Sequence, residues 1–371
     1  MARPFVPEMN YLRGFCMIAV VAIHIGSYAF SNPQVNIGLI GFLEILSRFS
    51  IPGFFFLSGF VLFYHTPLEA PFHNRYFLQK RFNSTVIPYI VWSFLYLGYA
   101  AYVSHDLSVF APKYLSTAFF FGTTSYQLYF MVILFWFYLL MPLWRVLLRG
   151  MLKNLPMWLI LGFILQVGFN FASSYYFGKI HFSSPSLEHL WVMRLNYWVV
   201  HYLFVFLLGA IVAERYVETM AWLSQHRAFL TTLYALSVVG MLGAFYFVQG
   251  VWDYTPLEAV NTIHQLSPVG NVYTVTSCLF LLALFRWTPL SPGAKQFWNY
   301  LGDMSFGIYL VHPFMLYFLT PIFAKLGYQY TVPATLGLYV VILIASALFT
   351  QSIEKAPFLA TYLLGKSTRK K

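Results

Sequence analysis

Ten apolar runs recur along this chain, each closed by charge, proline or glycine. They lie at about 10–30, 37–64, 84–103, 127–146, 155–174, 195–213, 228–249, 269–286, 299–322 and 332–352. Each approaches or exceeds the ~20 residues that a helix needs to cross the hydrocarbon core of a bilayer. The pattern predicts an all-α, polytopic membrane protein of about ten transmembrane helices. No polar segment is long enough to fold apart from them, so residues 1–371 are expected to form a single membrane domain.

The polar exceptions inside these runs carry the chemistry. The first run holds Arg13 and His24 with only apolar or small residues between them. The eleven-residue spacing is almost three helical turns, so both side chains share one face, with His24 ~16 Å deeper than Arg13. Met17, Val20 and Val21 fill the stripe between them. A titratable residue inside a span is a functional candidate; the alternative is a histidine that hydrogen-bonds a neighbouring helix.

The second run contains Glu44 and Arg48, one turn apart, followed by Pro52, which is expected to kink it. Glu44 lies at a depth similar to that of His24. Its carboxylate can orient the imidazole, or Glu44 and Arg48 can neutralise each other within the helix. Lys80 and Arg81 precede the third run, which opens at Pro88-Tyr89. A basic cluster at a helix start suits a phosphate-rich ligand, through charge-assisted bonds and the helix dipole; it equally serves as an orientation signal. Ser305, Tyr309 and His312 fall at i, i+4 and i+7 of the ninth run and share a face, with Pro313 expected to bend the helix. His201 in the sixth run has no accompanying motif and is assigned to packing. The segments 104–126 and 174–194 are expected to be external loops; Phe119-Phe120-Phe121 and Tyr126 suggest that the first lies against the membrane surface.

Composition agrees with this class. Of 371 residues, 60% are hydrophobic and 9% charged, against ~25% charged in soluble domains. The formal net charge is +11, but its distribution excludes the need for a nucleic-acid partner. With ten spans the termini share a side, and that side holds 17 of the 22 lysines and arginines, from Arg3 and Arg13 through Arg145 and Arg149 to Arg369, Lys370 and Lys371. The positive-inside rule then places both termini in the cytoplasm. The N-terminal residues, with Glu8, do not resemble a cleavable signal, so the first span is expected to be an uncleaved anchor. Cys16 and Cys278 both lie in apolar runs, so neither a disulfide nor a metal site is expected.

Four pieces taken in order resemble the acyltransferase-3 family of ten-span membrane acyltransferases. They are Arg13 and His24 within Tyr11-Leu12-Arg13-Gly14, then Phe54-Phe55-Phe56-Leu57-Ser58-Gly59. Lys80-Arg81 with Ile87-Pro88-Tyr89 comes next, and Ser305-Phe306-Gly307-Ile308-Tyr309-Leu310-Val311-His312-Pro313 last. Two places depart from the family pattern. Ser84 stands where a further arginine is usual, and Gln127-Leu128-Tyr129-Phe130 stands for His-Leu-Trp-Phe, a form more similar to members linked to surface polysaccharides.

The resemblance implies O-acylation of a cell-surface or exported glycan at the cytoplasmic membrane. Cytoplasmic acyl-CoA is the implied co-substrate, with acetyl first and succinyl second among acyl groups, and with no tightly bound cofactor. His24, Arg13 and Glu44 are the implied catalytic residues. Arg13, Lys80 and Arg81 would hold the donor phosphates, and Arg48, Ser305, Tyr309 and His312 would support the substrate or the catalytic residues. His24 would serve as a base or as a transient acyl carrier. The bilayer, the glycan acceptor and a polysaccharide synthase or export machinery are the implied partners. A glycan exporter without covalent chemistry is the alternative that the residues leave open.

Overall fold

The computed structural model of the protein describes residues 3–28, 30, 36–327 and 329–366. Arg369, Lys370 and Lys371, counted above toward orientation, lie outside the described residues. The helices follow in the order α1 (Pro7–Tyr28), α2 (Ile37–Ile40), α3 (Ser50–His65), α4 (Asn74–Arg81), α5 (Ile87–Ser104), α6 (Pro112–Phe121), α7 (Tyr129–Leu139), α8 (Met141–Met151) and α9 (Leu155–Tyr175). Then come α10 (Pro185–Val192), α11 (Leu203–Glu214), α12 (Tyr216–Gln225), α13 (Arg227–Val251), α14 (Pro256–Thr262), α15 (Pro268–Trp287), α16 (Pro292–Lys325), α17 (Val332–Glu354) and α18 (Pro357–Leu364). No strand occurs among the described residues.

Nine helical stretches among the described residues are long and apolar enough to cross a bilayer, and α7 is a shorter apolar helix beside them. Nine of the expected runs fall on the long stretches. The other, expected at 127–146, breaks at Leu140 between α7 and α8. Pro142 accounts for the break, because it has no N–H to offer the carbonyl four residues back. Arg145 then fastens α8 by donating to the carbonyls of Thr66 at 2.6 Å and Ala70 at 3.0 Å. Exposed apolar side chains such as Ile160, Leu236, Val239 and Ile344 cover the outward faces of α9, α13 and α17, as a lipid-facing surface requires.

Helix α1 is the axis of the bundle. It packs on α3, α15, α16 and α17 and is buried along most of its length. Its first turns are tied to α16 by Asn10, whose Nδ2 donates to Asp303 Oδ1 at 3.0 Å and Asn299 Oδ1 at 3.2 Å. Helices α3 and α11 cross at Gly59 and Gly209, where a Cβ on either would overlap the facing backbone carbonyl, of Phe206 or Phe56. Small residues permit this approach where no hydrophobic force draws helices together.

The second run departs from a plain kink. A π-helical turn at Gly41–Ile45 follows α2, and turns fill residues 46–49 before α3 begins. The distortion precedes Pro52, whose ring displaces the carbonyl four residues earlier. Tyr273 Oη, donating to Leu46 O at 2.8 Å, compensates one carbonyl freed there. By contrast α16 runs continuously through Pro313 and Pro321.

The largest revision concerns 104–126. This segment is not simply a surface loop. After Ser104 the chain turns, and α6 folds back antiparallel to α5 into the bundle. Tyr89, near the start of α5, donates to the carbonyl of Phe119 at 2.6 Å, and the Phe119 ring meets both Tyr89 and Phe94. Gly122 ends α6 in the left-handed region at φ 68°, hard against Tyr129. The non-helical residues from Gly122 to Leu128 therefore lie within the bundle. Such backbone is tolerated at membrane depth only where protein buries it or a cavity adjoins it.

Candidate functional site

The folded-back loop closes a cavity against α1, α3, α7 and α16. Its volume is about 150 Å³, and it is lined by Arg13, His24, Ser58, Gln127, Tyr129, Ser305 and Tyr309 among apolar residues. The eleven-residue spacing thus does what helical geometry requires: Arg13 and His24 face one space. Arg13 is held by Asn10, whose Oδ1 accepts from Nη1 at 3.3 Å while its Nδ2 is anchored on α16. Arg13 also lines a second cavity of about 230 Å³, with Pro4, Phe5, Asn10, Tyr64 and His65, at the end of α1 that carries the N-terminus. One guanidinium therefore stands between a cavity at the basic face and one in the interior.

His24 is flanked by two rings. Tyr126 of the folded-back loop lies at 4.6 Å between centroids, and His312 of α16 stacks at 5.2 Å with an interplanar angle of 26°. His312 donates from Nδ1 to the carbonyl of Ile308 at 2.9 Å, which fixes the ring and leaves Nε2 as a buried acceptor without a partner among the described residues. The shared face expected for Ser305, Tyr309 and His312 is found. Ser305 Oγ donates to Gly302 O at 2.7 Å, and Tyr309 Oη donates to Gln127 O at 2.6 Å, which ties α16 to the loop.

Of the two readings for Glu44, the structure has the ion pair. Glu44 Oε2 accepts from Arg48 Nη2 at 2.9 Å, and both groups are largely buried. Glu44 lies against Gly26, two residues beyond His24, but makes no hydrogen bond to the imidazole among the described residues. Arg48 also approaches Gln265 Oε1 at 3.5 Å, and its Nε is buried and has no partner among the described residues.

The basic cluster before the third span differs from expectation in its setting. Helix α4, a π-helical turn at Phe82–Val86 and α5 form one helical stretch, Asn74–Ser104, so Lys80 and Arg81 sit inside a helix rather than at its start. Their phosphate affinity cannot draw on the dipole of a helix N-terminus. Lys80 is exposed. The Arg81 guanidinium lies over the rings of Phe77 at 5.3 Å and Tyr138 at 5.5 Å, with Nε buried and unpaired, beside a cavity of about 360 Å³.

His201 has the packing role assigned to it. Its Nε2 meets Ser173 Oγ at 2.8 Å and its Nδ1 meets Trp198 O at 3.1 Å. Sequence reasoning missed Asn10 and Asp303, and it named Tyr126 only as an interfacial residue and Gln127 only as a departure from the family motif, giving neither a place in the site. Asn10 and Asp303 are polar residues at the edges of apolar runs and were visible as such. The other two depend on the fold-back of α6, which no local pattern announces.

Chemically, the interior cavity offers a cation at one end, an imidazole toward the other, and an apolar wall between them. A family model described as an acyltransferase domain matches residues 6–351. No curated protein and no solved structure matches the chain. With a match that covers nearly its whole length, this multi-pass membrane chain belongs to the acyltransferase-3 family and is an acyltransferase.

Proposed function

We propose that the protein moves an acyl group, acetyl first, from cytoplasmic acyl-CoA to a hydroxyl of a cell-surface or exported glycan. The observation that carries this reading is Arg13, shared by a cavity at the basic face and by the interior cavity that reaches His24. The basic excess on the side of the termini makes that face cytoplasmic. Arg13, with Lys80 and Arg81 nearby, receives the anionic part of the donor, because guanidinium groups bind phosphate through strong charge-assisted bonds. The thioester arm enters the interior cavity, whose size of about 150 Å³ suits a short acyl group.

The acceptor hydroxyl approaches from the opposite face past Tyr126, which is 41% exposed and in ring contact with His24. As the hydroxyl oxygen attacks the thioester carbon, His24 takes its proton and later gives it to the departing sulfur. Such a base contributes ~10²–10⁴-fold in rate. His312 restricts the His24 ring from one side, and Glu44 acts only through Arg48.

The experiment is release of free CoA thiol from acetyl-CoA by the purified protein, with and without surface glycan from the native host, followed by mass spectrometry of that glycan. Acceptor-dependent thiol release and a mass increase of one acetyl group are expected. Glycan that crosses the membrane unmodified, with no thiol release, returns the exporter reading. Labelling of a Lys366→Cys variant in intact cells by an impermeant reagent would overturn the direction of transfer.

A further inference from the structure

We infer that Gln127 is the oxyanion donor of this acyl transfer. Its side-chain N–H hydrogen-bonds the thioester carbonyl oxygen as that oxygen becomes negative. The inference rests on the acyl-transfer reading above and adds a catalytic residue to it.

Three observations on Gln127 support this. First, the residue is 2% exposed, lines the cavity that contains His24, and has an Nε2 that makes no well-formed hydrogen bond among the described residues. A buried amide donor left unpaired costs ~1–3 kcal/mol in a folded protein, so it calls for an explanation. Second, the orientation of the amide is set from both ends. Ser125 Oγ donates to Oε1 at 2.6 Å, and Ser125 is itself beside the Tyr317 hydroxyl at 3.3 Å. The Tyr96 phenol lies on the Nε2 side with its own proton spent on Leu310 O at 2.7 Å, so its oxygen acts there as an acceptor for one of the two amide N–H groups, and the other N–H remains for the cavity. Third, the backbone that carries Gln127 is pinned, with Tyr309 Oη donating to its carbonyl at 2.6 Å and the Leu128 N–H bonded to Ser125 O at 3.0 Å.

Three other hydroxyl donors of the cavity are committed, while the Tyr129 hydroxyl, which also lines it, adjoins Tyr202. Ser58 Oγ donates to Phe54 O at 2.8 Å, Ser305 Oγ to Gly302 O, and Tyr309 Oη to Gln127 O. Arg13 is charged and stands toward the other end. Among the described side chains that line this cavity, Gln127 Nε2 is the buried polar atom without a well-formed hydrogen bond. A fixed, desolvated donor of this kind needs no reorganisation when negative charge develops.

The step balances without a further reactant. The acceptor oxygen forms a bond to the thioester carbon, and the carbonyl electron pair moves to oxygen, where Gln127 Nε2–H meets it. His24 holds the hydroxyl proton. When the carbonyl re-forms, the carbon–sulfur bond breaks, and the proton passes to sulfur. Ester and free CoA are the products.

The test uses full-length protein in nanodiscs, acetyl-CoA as donor and surface glycan of the native host as acceptor, with Gln127→Leu, Gln127→Glu and Gln127→His compared at matched folded amounts. Removal of one oxyanion donor lowers kcat by ~10²–10³-fold. Gln127→Leu, and the isosteric Gln127→Glu at a pH high enough to ionise its carboxyl so that it presents only acceptors, are both expected to fall in that range with KM for acetyl-CoA unchanged. Gln127→His keeps an N–H and is expected to recover at least a tenth of wild-type kcat. Near-normal kcat in Gln127→Leu, or a loss confined to KM, overturns the inference while acyl transfer by the wild type stands. A wild-type protein that releases no CoA thiol and acylates no glycan overturns the underlying reading and the inference together.

Discussion

Two histidines inside this bundle have opposite surroundings, His201 fully buried and His24 half-buried. His201 has a partner on each ring nitrogen, and its neighbours are largely satisfied: Arg194 donates to the Ser173 hydroxyl and carbonyl, and Gln166 and Asn170 donate to the His201 carbonyl, with Asn170 Oδ1 the one atom of this group left without a partner among the described residues. The space beside it is about 10 Å³, too little for a substrate. His24 instead borders about 150 Å³ of cavity, and the polar groups around it include a His312 Nε2 and a Gln127 Nε2 that make no well-formed hydrogen bond among the described residues. A closed hydrogen-bond network stabilises a core and holds nothing in reserve, whereas unpaired groups fixed around a cavity are available to a reacting ligand.

The comparison is sharpened most by substitution at the two histidines. His24→Asn is expected to lower acyl transfer by ~10²–10⁴-fold while the protein still inserts and folds, because an amide hydrogen-bonds but cannot take a proton. Steady-state kinetics at matched folded amounts check this. His312→Asn is the companion measurement. If that ring only restricts His24, a modest fall in kcat with unchanged KM is expected.

Second in size is the donor side. Arg81→Ala removes a guanidinium held over Phe77 and Tyr138. A charge-assisted bond contributes ~1.5–3 kcal/mol, so the KM for acetyl-CoA is expected to rise about ten- to a hundredfold with thermal stability little changed. Unchanged KM would return Lys80 and Arg81 to orientation alone.

The smallest effect on chemistry belongs to His201. His201→Ala leaves Ser173 short of a buried partner and is expected to cost ~1–3 kcal/mol of stability, read as a lower unfolding temperature in nanodiscs. The kcat per folded molecule should remain within about twofold of wild type. A loss of kcat at full stability would erase the distinction between the two histidines.

Most of the fold was legible in the chain. Apolar runs bounded by charge and proline mark the spans, because a bilayer imposes length and polarity on every helix that crosses it. The shared face of Arg13 and His24 and the face of Ser305, Tyr309 and His312 follow from helical spacing alone, whereas spacing left the Glu44–Arg48 pair as one of two open readings. Three features were not legible, each for a different reason. Phe119-Phe120-Phe121 has the composition of an interfacial segment and of a helix folded back into protein, and only the tertiary contact with Tyr89 separates the two. Pro88 reads as a helix start, yet the helix begins at Asn74 and passes through a π-helical turn, which moves Lys80 and Arg81 to mid-helix. Gln127 acquires its place only because α6 carries it beside α16, a long-range event that local periodicity does not encode.

The central claim is that His24 moves the proton of an acyl transfer fed from the basic face. Acceptor-dependent release of CoA thiol from acetyl-CoA, measured side by side for wild-type protein and His24→Asn in nanodiscs, tests it most directly. Robust release by the wild type and a loss of at least a hundredfold in the variant, at equal acetyl-CoA affinity and equal unfolding temperature, is the predicted result. Release by His24→Asn within a few fold of wild type would contradict it and make His24 a packing residue like His201.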